Sequence, residues 1–315
     1  MTKISLTSMK QYLKKSIESF NQNKVNGLLA ELNLRNYLSD LGYSDRISAG
    51  GWIIRSTGPG NFGKRNIALF PETVHPDTEY PEGRTFSQPD PGLYSICSVL
   101  HSIEIDSYFC TPVIKNDDSA ISLIWYACQL GLPSQQPFKP LHEHLDTFQK
   151  RTSGKNFLLN NANTEMIPDI SVPDLFSKEH LRVTVADMVD FEISDIDGIF
   201  YGRSKVYPLE IKEKTAAYDK QLGPYFGLDI GPFAKLAFYS ARTGNMHSIY
   251  IVREIDDKRT RNLVQWWVIT YRDLAGFASW FPWQGGQSMT GGSSTVVRIP
   301  KSAFSPLDKE HIALL

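Results

Sequence analysis

The chain has 315 residues, of which 41% are hydrophobic and 12% aromatic, and its formal net charge is −1. This composition describes an ordinary soluble globular protein with one large domain or two small ones. It lacks the basic excess that is common in nucleic-acid binders, so any basic surface must be local. No apolar run reaches the roughly 18 residues that a membrane-spanning helix needs.

The cysteines predict the redox state of the protein. Cys97, Cys110 and Cys128 are odd in number and lack C-x-x-C spacing, which indicates reduced thiols. The first residues contain no continuous apolar segment of the kind found in signal peptides. A cytoplasmic protein is therefore expected.

Two amphipathic helices are predicted near the start, over residues 7–20 and 25–41, and Gly42 is a C-cap signal for the second. Glu31 falls within the apolar stripe of that second helix, where an unpaired carboxylate is costly. Glu31 is therefore either an edge residue that reaches water or caps a backbone group, or a carboxylate directed at a metal site.

Residues 44–116 are rich in Gly, Pro, Ser and Asp. Within them, residues 58–65 match G-x-x-x-x-G-K, but Arg65 stands where a P-loop needs Ser or Thr. A strand, not a helix, is predicted next, over residues 66–70, which disfavours nucleotide binding. The segment is predicted to be a surface loop, with DNA phosphate contacts by Lys64 and Arg65 as the alternative.

The middle of the chain carries weaker signals. Helices are predicted over residues 119–130 and 141–150, and irregular structure with a short helix over residues 151–185. His142 and His144 are two residues apart and cannot share a helix face, which argues against a zinc site.

The most informative segment is residues 194–215, which predict a β-hairpin with strands over residues 197–201 and 207–214. Because strand side chains alternate between faces, Leu209 and Ile211 are expected to enter a core.

The opposite face of the hairpin carries the chemistry. Glu210, Lys212 and Lys214 point to that face, and Asp197 can meet Glu210 and Lys212 if the strands pair. Two carboxylates and an ammonium group suit a divalent metal, an attacking water and a phosphate.

The rest of the chain predicts alternating helices and strands. A Gly- and Tyr-rich linker is expected over residues 216–231, followed by a helix over residues 232–242 with Lys235 and Arg242 on its polar side. The remaining predicted elements are strands over 247–254, 263–271 and 294–299, a helix over 273–281 and a Gly/Ser loop over 284–294.

Asp197, followed thirteen residues later by Glu210-Ile211-Lys212, resembles the motif of the PD-(D/E)XK nuclease superfamily. Asp197 follows Ile196 where the motif has Pro; literal Pro-Asp pairs at 168–169 and 173–174 have no strand directly after them. A second resemblance is to the first core helix of several families in this superfamily. It rests on Gly27, Glu31, Tyr37, Leu38 and Gly42.

The resemblance implies an α/β (α+β) restriction-endonuclease-like sandwich with a central mixed sheet. In this interpretation residues 1–315 are a single nuclease domain. Its core is residues 7–43 and 186–302, and residues 44–185 are an insertion for target recognition or dimer contacts.

The resemblance also implies the roles of individual residues. Asp197 and Glu210 bind Mg²⁺, Lys212 assists the attacking water, and Glu31 supplies an outer-shell contact. Asp195 is a reserve ligand. The remaining candidates are Gln221, which forms a Q-x-x-x-Y spacing with Tyr225, and Lys214, which is a candidate phosphate contact.

The implied function is Mg²⁺-dependent cleavage of double-stranded DNA by a sequence-specific type II restriction enzyme. Such a chain would act as a homodimer beside a separately encoded methyltransferase. Base contacts are expected from loops in residues 50–115 and from residues 285–294. The alternatives are a repair or recombination nuclease of the same fold and a non-catalytic DNA-binding protein. A glycosidase using the acidic pair is disfavoured by the adjacent lysine.

Overall fold

A computed structural model describes residues 3–17, 22–89, 91–114, 123–132, 134, 136–152, 167–241, 246–287 and 293–315. The helices are α1 (Leu6–Ile17), α2 (Gln22–Asp40), α3 (Pro91–Ser102), α4 (Val172–Met188), α5 (Ile230–Ser240), α6 (Tyr271–Phe277) and α7 (Lys309–Ile312). The strands are β1 (Ile47–Ser56), β2 (Asn66–Pro71), β3 (Asp106–Ile114), β4 (Leu123–Leu130), β5 (Lys139–Pro140), β6 (Phe191–Tyr201), β7 (Val206–Lys214), β8 (Ala217–Asp219), β9 (Gly223–Asp229), β10 (Ile249–Ile255), β11 (Leu263–Thr270), β12 (Trp283–Gln287), β13 (Ser293–Pro300) and β14 (Ser305–Pro306). Within these described ranges, every helix is too short or too polar to cross a membrane.

The chain forms two compact units, one made of Met1–Val25 with Gly50–Asp195 and the other of Asn26–Ala49 with Ile196–Leu315. Both units combine helices with strands in parallel and antiparallel pairs. The predicted mixed α/β class is therefore confirmed at this level. The finer division into a nuclease core and an insertion stays a prediction.

The first unit builds its sheet around β3, which pairs parallel with β2 and antiparallel with β4. Helices α1 and α4 pack together, and the ring of Tyr12 lies 5.3 Å from that of Phe176. The predicted free thiols lie in this unit, where all three are buried: Cys97, Cys110 and Cys128.

The helix predicted over residues 119–130 is wrong, because its described part is strand β4. Ala127 opposes Cys110 on β3, and buried and half-buried residues largely alternate along the strand. A short apolar run fits a strand as well as a helix, and pairing with a neighbour decides between them. Residues 119–122 lie outside the described residues.

Three other predictions are corrected. The short helix predicted within residues 151–185 is longer than expected, because α4 runs from Val172 to Met188; Pro173 lies in its first turn, where a missing N–H is tolerated. The helix predicted over residues 141–150 is only a 3₁₀ turn over Leu141–Leu145. The predicted linker over residues 216–231 instead contains β8, β9 and the start of α5. Gly223 lies at the turn with a φ of 69°, whereas Gly227 is paired within β9.

The loop predicted over residues 284–294 is also shorter than expected. Strand β12 extends to Gln287 and pairs with β13, with Gln284 opposite Thr295. Residues 153–166 and 288–292, together with the predicted helical residues 18–20 and Arg242, lie outside the described residues.

The second unit contains a mixed sheet with strand order β14-β11-β10-β7-β6, in which β7 is parallel to β10 and antiparallel to β6. One face packs on α2 through a buried cluster that includes Leu34 and Leu209. The other face packs on α5, α6 and a small antiparallel sheet of order β12-β13-β9-β8, through a cluster that includes Leu236 and Tyr250. Strand β7 is thus enclosed on both faces.

Candidate active site

The predicted hairpin is present as β6 and β7. Its antiparallel register pairs Gly198 with Leu209 and Tyr201 with Val206. The turn is closed by the N–H of Gly202, which donates to the carbonyl of Lys205 at 2.9 Å. A Cβ atom at position 202 would clash with the backbone of Leu315, so glycine is required there.

The alternation of side chains along β7 separates its core residues from its polar residues. Leu209 and Ile211 belong to the cluster packed on α2, so Glu210 and Lys212 face the opposite side. Asp197 follows the register to a position beside Glu210, and its Oδ2 accepts a hydrogen bond from the N–H of Ile211 at 2.7 Å. The structure therefore brings Asp197, Glu210 and Lys212 together.

Glu210 lies at the centre of this cluster and is only 1% exposed. Its Oε1 lies 2.6 Å from Nζ of Lys212, and its Oε2 contacts Nζ of Lys235 from α5. The Lys212 side chain retains 33% of its exposure, whereas that of Lys235 retains 14%. The Lys212 side chain is therefore partly open to solvent, while that of Lys235 is largely enclosed.

Burial and neighbouring charges shift the pKa values of the two carboxylates in opposite directions. Burial and then the charge of Glu210 raise the pKa of Asp197 to about 7, although Lys212 and Lys235 oppose the shift. Burial alone would raise the pKa of Glu210, but the two lysines outweigh burial and lower it. Glu210 is therefore the ionised member of the pair at neutral pH, and Asp197 titrates near neutrality.

Two further predicted carboxylates are less buried than Glu210. Glu31 is half-buried on α2, and its charge influences the pKa of Asp197 less than Glu210 or either lysine does. Asp195 is half-buried on β6, two residues before Asp197. Over the part of the chain that the structure describes, no three His, Cys, Asp or Glu side chains form a metal-binding group.

The predicted phosphate contacts and Gln221 occupy different settings. Lys214 ends β7, and burial lowers its pKa against the opposing charge of Asp229. Gln221 is exposed in the turn after β8, not on a helix. Lys64 is exposed in a turn, whereas Nη2 of Arg65 is 3.0 Å from Oδ2 of Asp106.

The role of Lys235 is not apparent from the sequence. The pattern predicts Lys235 on the polar side of a helix, but α5 packs against the sheet and directs this lysine at Glu210. Burial lowers and Glu210 raises the pKa of Lys235, and the net shift is upward, so the group stays charged. The sequence did contain an indication of this burial, because the residues around Lys235 are almost all apolar. The segment reads Ile-Gly-Pro-Phe-Ala-Lys-Leu-Ala-Phe, which predicts a lysine within a buried surface.

The pKa of Asp197 gives a prediction about stability. The folded protein holds this proton up to about pH 7, whereas the unfolded chain loses it near the ordinary value of 3.8. Stability is therefore lost as pH rises through that window. Asp197→Asn is expected to remove this loss and to stabilise the metal-free protein at pH 8 by on the order of 1 to 3 kcal/mol.

The measurement is urea unfolding in EDTA at pH 5 and pH 8 for both proteins. The gain of Asp197→Asn over the parent should be larger at pH 8 than at pH 5. An equal gain at both pH values would contradict the raised pKa.

Comparison of the chain with models of protein families, with curated proteins and with solved structures found no match.

Proposed function

We propose that this protein is a Mg²⁺-dependent endonuclease that hydrolyses phosphodiester bonds of double-stranded DNA, built on a restriction-endonuclease-like core. The observation that carries the proposal is the buried pair of Asp197 and Glu210, in which Lys212 and Lys235 both contact the carboxylate of Glu210. Buried charges are rare unless they are paired or functional. Asp197 and Glu210 lie on the neighbouring strands β6 and β7, one residue beyond the paired Gly198 and Leu209.

The residues fit a magnesium ion. Mg²⁺ is usually bound by one or two carboxylates and completes its shell with waters and phosphate oxygens, so two carboxylates suffice. Burial and then the charge of Glu210 raise the pKa of Asp197, and a bound cation would favour the ionised form of this carboxylate. When bound, Mg²⁺ would lower the pKa of a bound water and offset the charge that develops on the phosphate.

The side chains of the protein have separate parts in the reaction. Asp197 and Glu210 would hold the metal, and Glu31 would contribute in its outer shell. Lys212, whose side chain is partly exposed, would orient the attacking water and donate to a phosphate oxygen. The water would lose a proton to solvent as its oxygen bonds to phosphorus, the bond to the 3′ oxygen would break, and that oxygen would take a proton from a solvent water. The products are 5′-phosphate and 3′-hydroxyl ends.

Lys235 has a positioning role in this proposal. Its ammonium group contacts Oε2 of Glu210, and Lys212 contacts Oε1, so the two lysines together hold both oxygens of the carboxylate. Lys235 would keep Glu210 ionised and correctly oriented in the metal-free protein. The four charged groups sum to zero when Asp197 is ionised, so a bound divalent cation would make the site positive and attract a phosphodiester.

Digestion of phage DNA by the purified protein tests this function. With Mg²⁺ we expect discrete fragments whose sequenced ends carry 5′-phosphates and share one short palindrome, as for a type II restriction enzyme acting as a homodimer. Preferential cutting of branched or flapped DNA would favour a repair or recombination enzyme instead. DNA binding without Mg²⁺-dependent cleavage of any of these substrates would contradict the nuclease proposal.

A further inference from the structure

The loop between β10 and β11, residues 256–262, lies at the end of β7 that carries the candidate active site. Strands β7 and β10 are parallel, and their register places Val252 opposite Lys212 and Glu254 opposite Lys214. Parallel neighbours run toward the same edge of a sheet. The loop that follows β10 therefore begins at the edge where these two lysines lie.

The base of this loop is locked to β7. Glu213 lies between the two lysines in sequence, on the other face of the strand. Its Oε2 is 3.0 Å from Nη2 of Arg261 and 2.7 Å from Nη1 of Arg253. The same Nη1 donates to the carbonyl of Arg261 at 3.3 Å. The loop therefore has a fixed position relative to Lys212.

The acidic residues of the loop are engaged by the loop itself. Asp256 accepts hydrogen bonds from the N–H and the side-chain amide of Asn262, at 2.9 and 2.8 Å. Oδ1 of Asp257 accepts from the N–H of Arg259 at 2.6 Å. These bonds fix the turn that presents Lys258 and Arg259, both of which are exposed.

Lys258 and Arg259 are available to a ligand, because within the described ranges neither side chain forms an ion pair. The charge of Lys258 also reaches β7. Burial lowers the pKa of Lys214, Asp229 opposes the shift, and the charges of Lys212 and Lys258 lower this pKa further. An anion bound beside these ammonium groups would relieve their repulsion.

The carboxylate closest to Lys214 in the sheet register is already balanced. Glu254 accepts hydrogen bonds from Nε1 of Trp267 and from Nζ of Lys301, both at 2.6 Å. It therefore does not compete for the cations of the loop.

We propose that the loop is a phosphate clamp, in which Lys258 and Arg259 bind backbone phosphates of the DNA strand that is cleaved. Ammonium and guanidinium groups bind phosphate through charge-assisted hydrogen bonds, and a fixed loop lowers the entropic cost of binding. Lys212 would contact the scissile phosphate and the loop its neighbours, which sets the position of the strand without reading its sequence. The identity of the anion as DNA rests on the proposed nuclease function, whereas the position of the two cations does not.

The test is binding of a fluorescent duplex of about 20 base pairs in EDTA, measured by anisotropy between about 50 and 200 mM KCl. Lys258→Ala/Arg259→Ala should bind at least about tenfold more weakly at about 100 mM KCl. The slope of log K against log salt should become shallower by about 1.8, because each lost phosphate contact removes about 0.9. Two duplexes of unrelated sequence should lose the same factor, since phosphates carry no sequence information.

Arg203→Ala/Lys205→Ala is the matched control. It removes one exposed arginine and one exposed lysine from the turn at the other end of β7. This variant should keep the affinity and the salt slope of the parent. Urea unfolding of both double variants checks that each retains the fold.

An unchanged affinity and slope in Lys258→Ala/Arg259→Ala, an equal loss in the control, or no binding by the parent would overturn the inference. A loss confined to one duplex would also overturn it and indicate base recognition. The cleavage assay separates the clamp from the nuclease proposal. Loop-dependent binding without cleavage would leave the clamp standing, and cleavage by a protein whose binding does not depend on the loop would leave only the nuclease.

Discussion

Glu210→Gln and Lys212→Met are each expected to lower the single-turnover rate of Mg²⁺-dependent plasmid cleavage by at least about 100-fold. Glutamine keeps the shape of Glu210 but removes the charge that we propose binds the cation, and methionine removes the ammonium group that we propose contacts the attacked phosphate. Both variants should fold, because glutamine still accepts hydrogen bonds and Lys212 is partly exposed. Far-UV circular dichroism and DNA binding in EDTA check the fold independently of cleavage.

The controls are matched in chemistry and differ in position. Lys205→Met removes an exposed lysine from the turn of the same hairpin, and Glu192→Gln changes an exposed glutamate. Both should cut DNA at the parent rate. Cleavage by Glu210→Gln or Lys212→Met at the parent rate would refute the assignment of the site.

The second large effect is on stability. Lys235→Met is expected to destabilise the metal-free protein by about 2 to 4 kcal/mol at pH 7.5. Glu210 would remain ionised and 1% exposed, with only Lys212 to balance it and with Asp197 nearby. Urea unfolding monitored by tryptophan fluorescence measures this loss, and Lys205→Met provides the control for the same substitution on the surface.

A double-mutant cycle isolates the contact from other effects of the substitution. Because a neutral residue 210 no longer needs the ammonium group, Glu210→Gln/Lys235→Met should recover at least about half of the stability that Lys235→Met loses. Additive losses in the two single variants would mean that the ion pair contributes nothing, and Lys235 would then have no positioning role.

The sequence was most informative where a local pattern determines the structure. The alternation around Glu210 predicts both the strand and the face on which its carboxylate lies, because a strand has only two faces. Helix α2 could be predicted equally well from the sequence, since its apolar stripe ends at Gly42, which adopts a positive φ of 88°.

Contacts between elements that are distant in the sequence could not be predicted in the same way. Leu123–Leu130 satisfies a helical pattern as well as a strand, and only its pairing with β3 decides the outcome. The contact between Lys235 and Glu210 joins residues 25 positions apart through the packing of α5 on the sheet. Helical periodicity gives the side of α5 on which Lys235 lies, but it does not say whether that side meets water or a buried carboxylate.

The central claim is that Asp197 and Glu210 together hold a divalent cation. Anomalous diffraction from crystals grown with Mn²⁺, collected for the parent and for Glu210→Gln, tests it most directly. The account predicts an anomalous peak within coordination distance of both carboxylates in the parent, at roughly 2.0 to 2.3 Å, and none at this position in the variant. A parent that cleaves DNA with Mn²⁺ but binds the ion elsewhere, or an unchanged peak in Glu210→Gln, would contradict it.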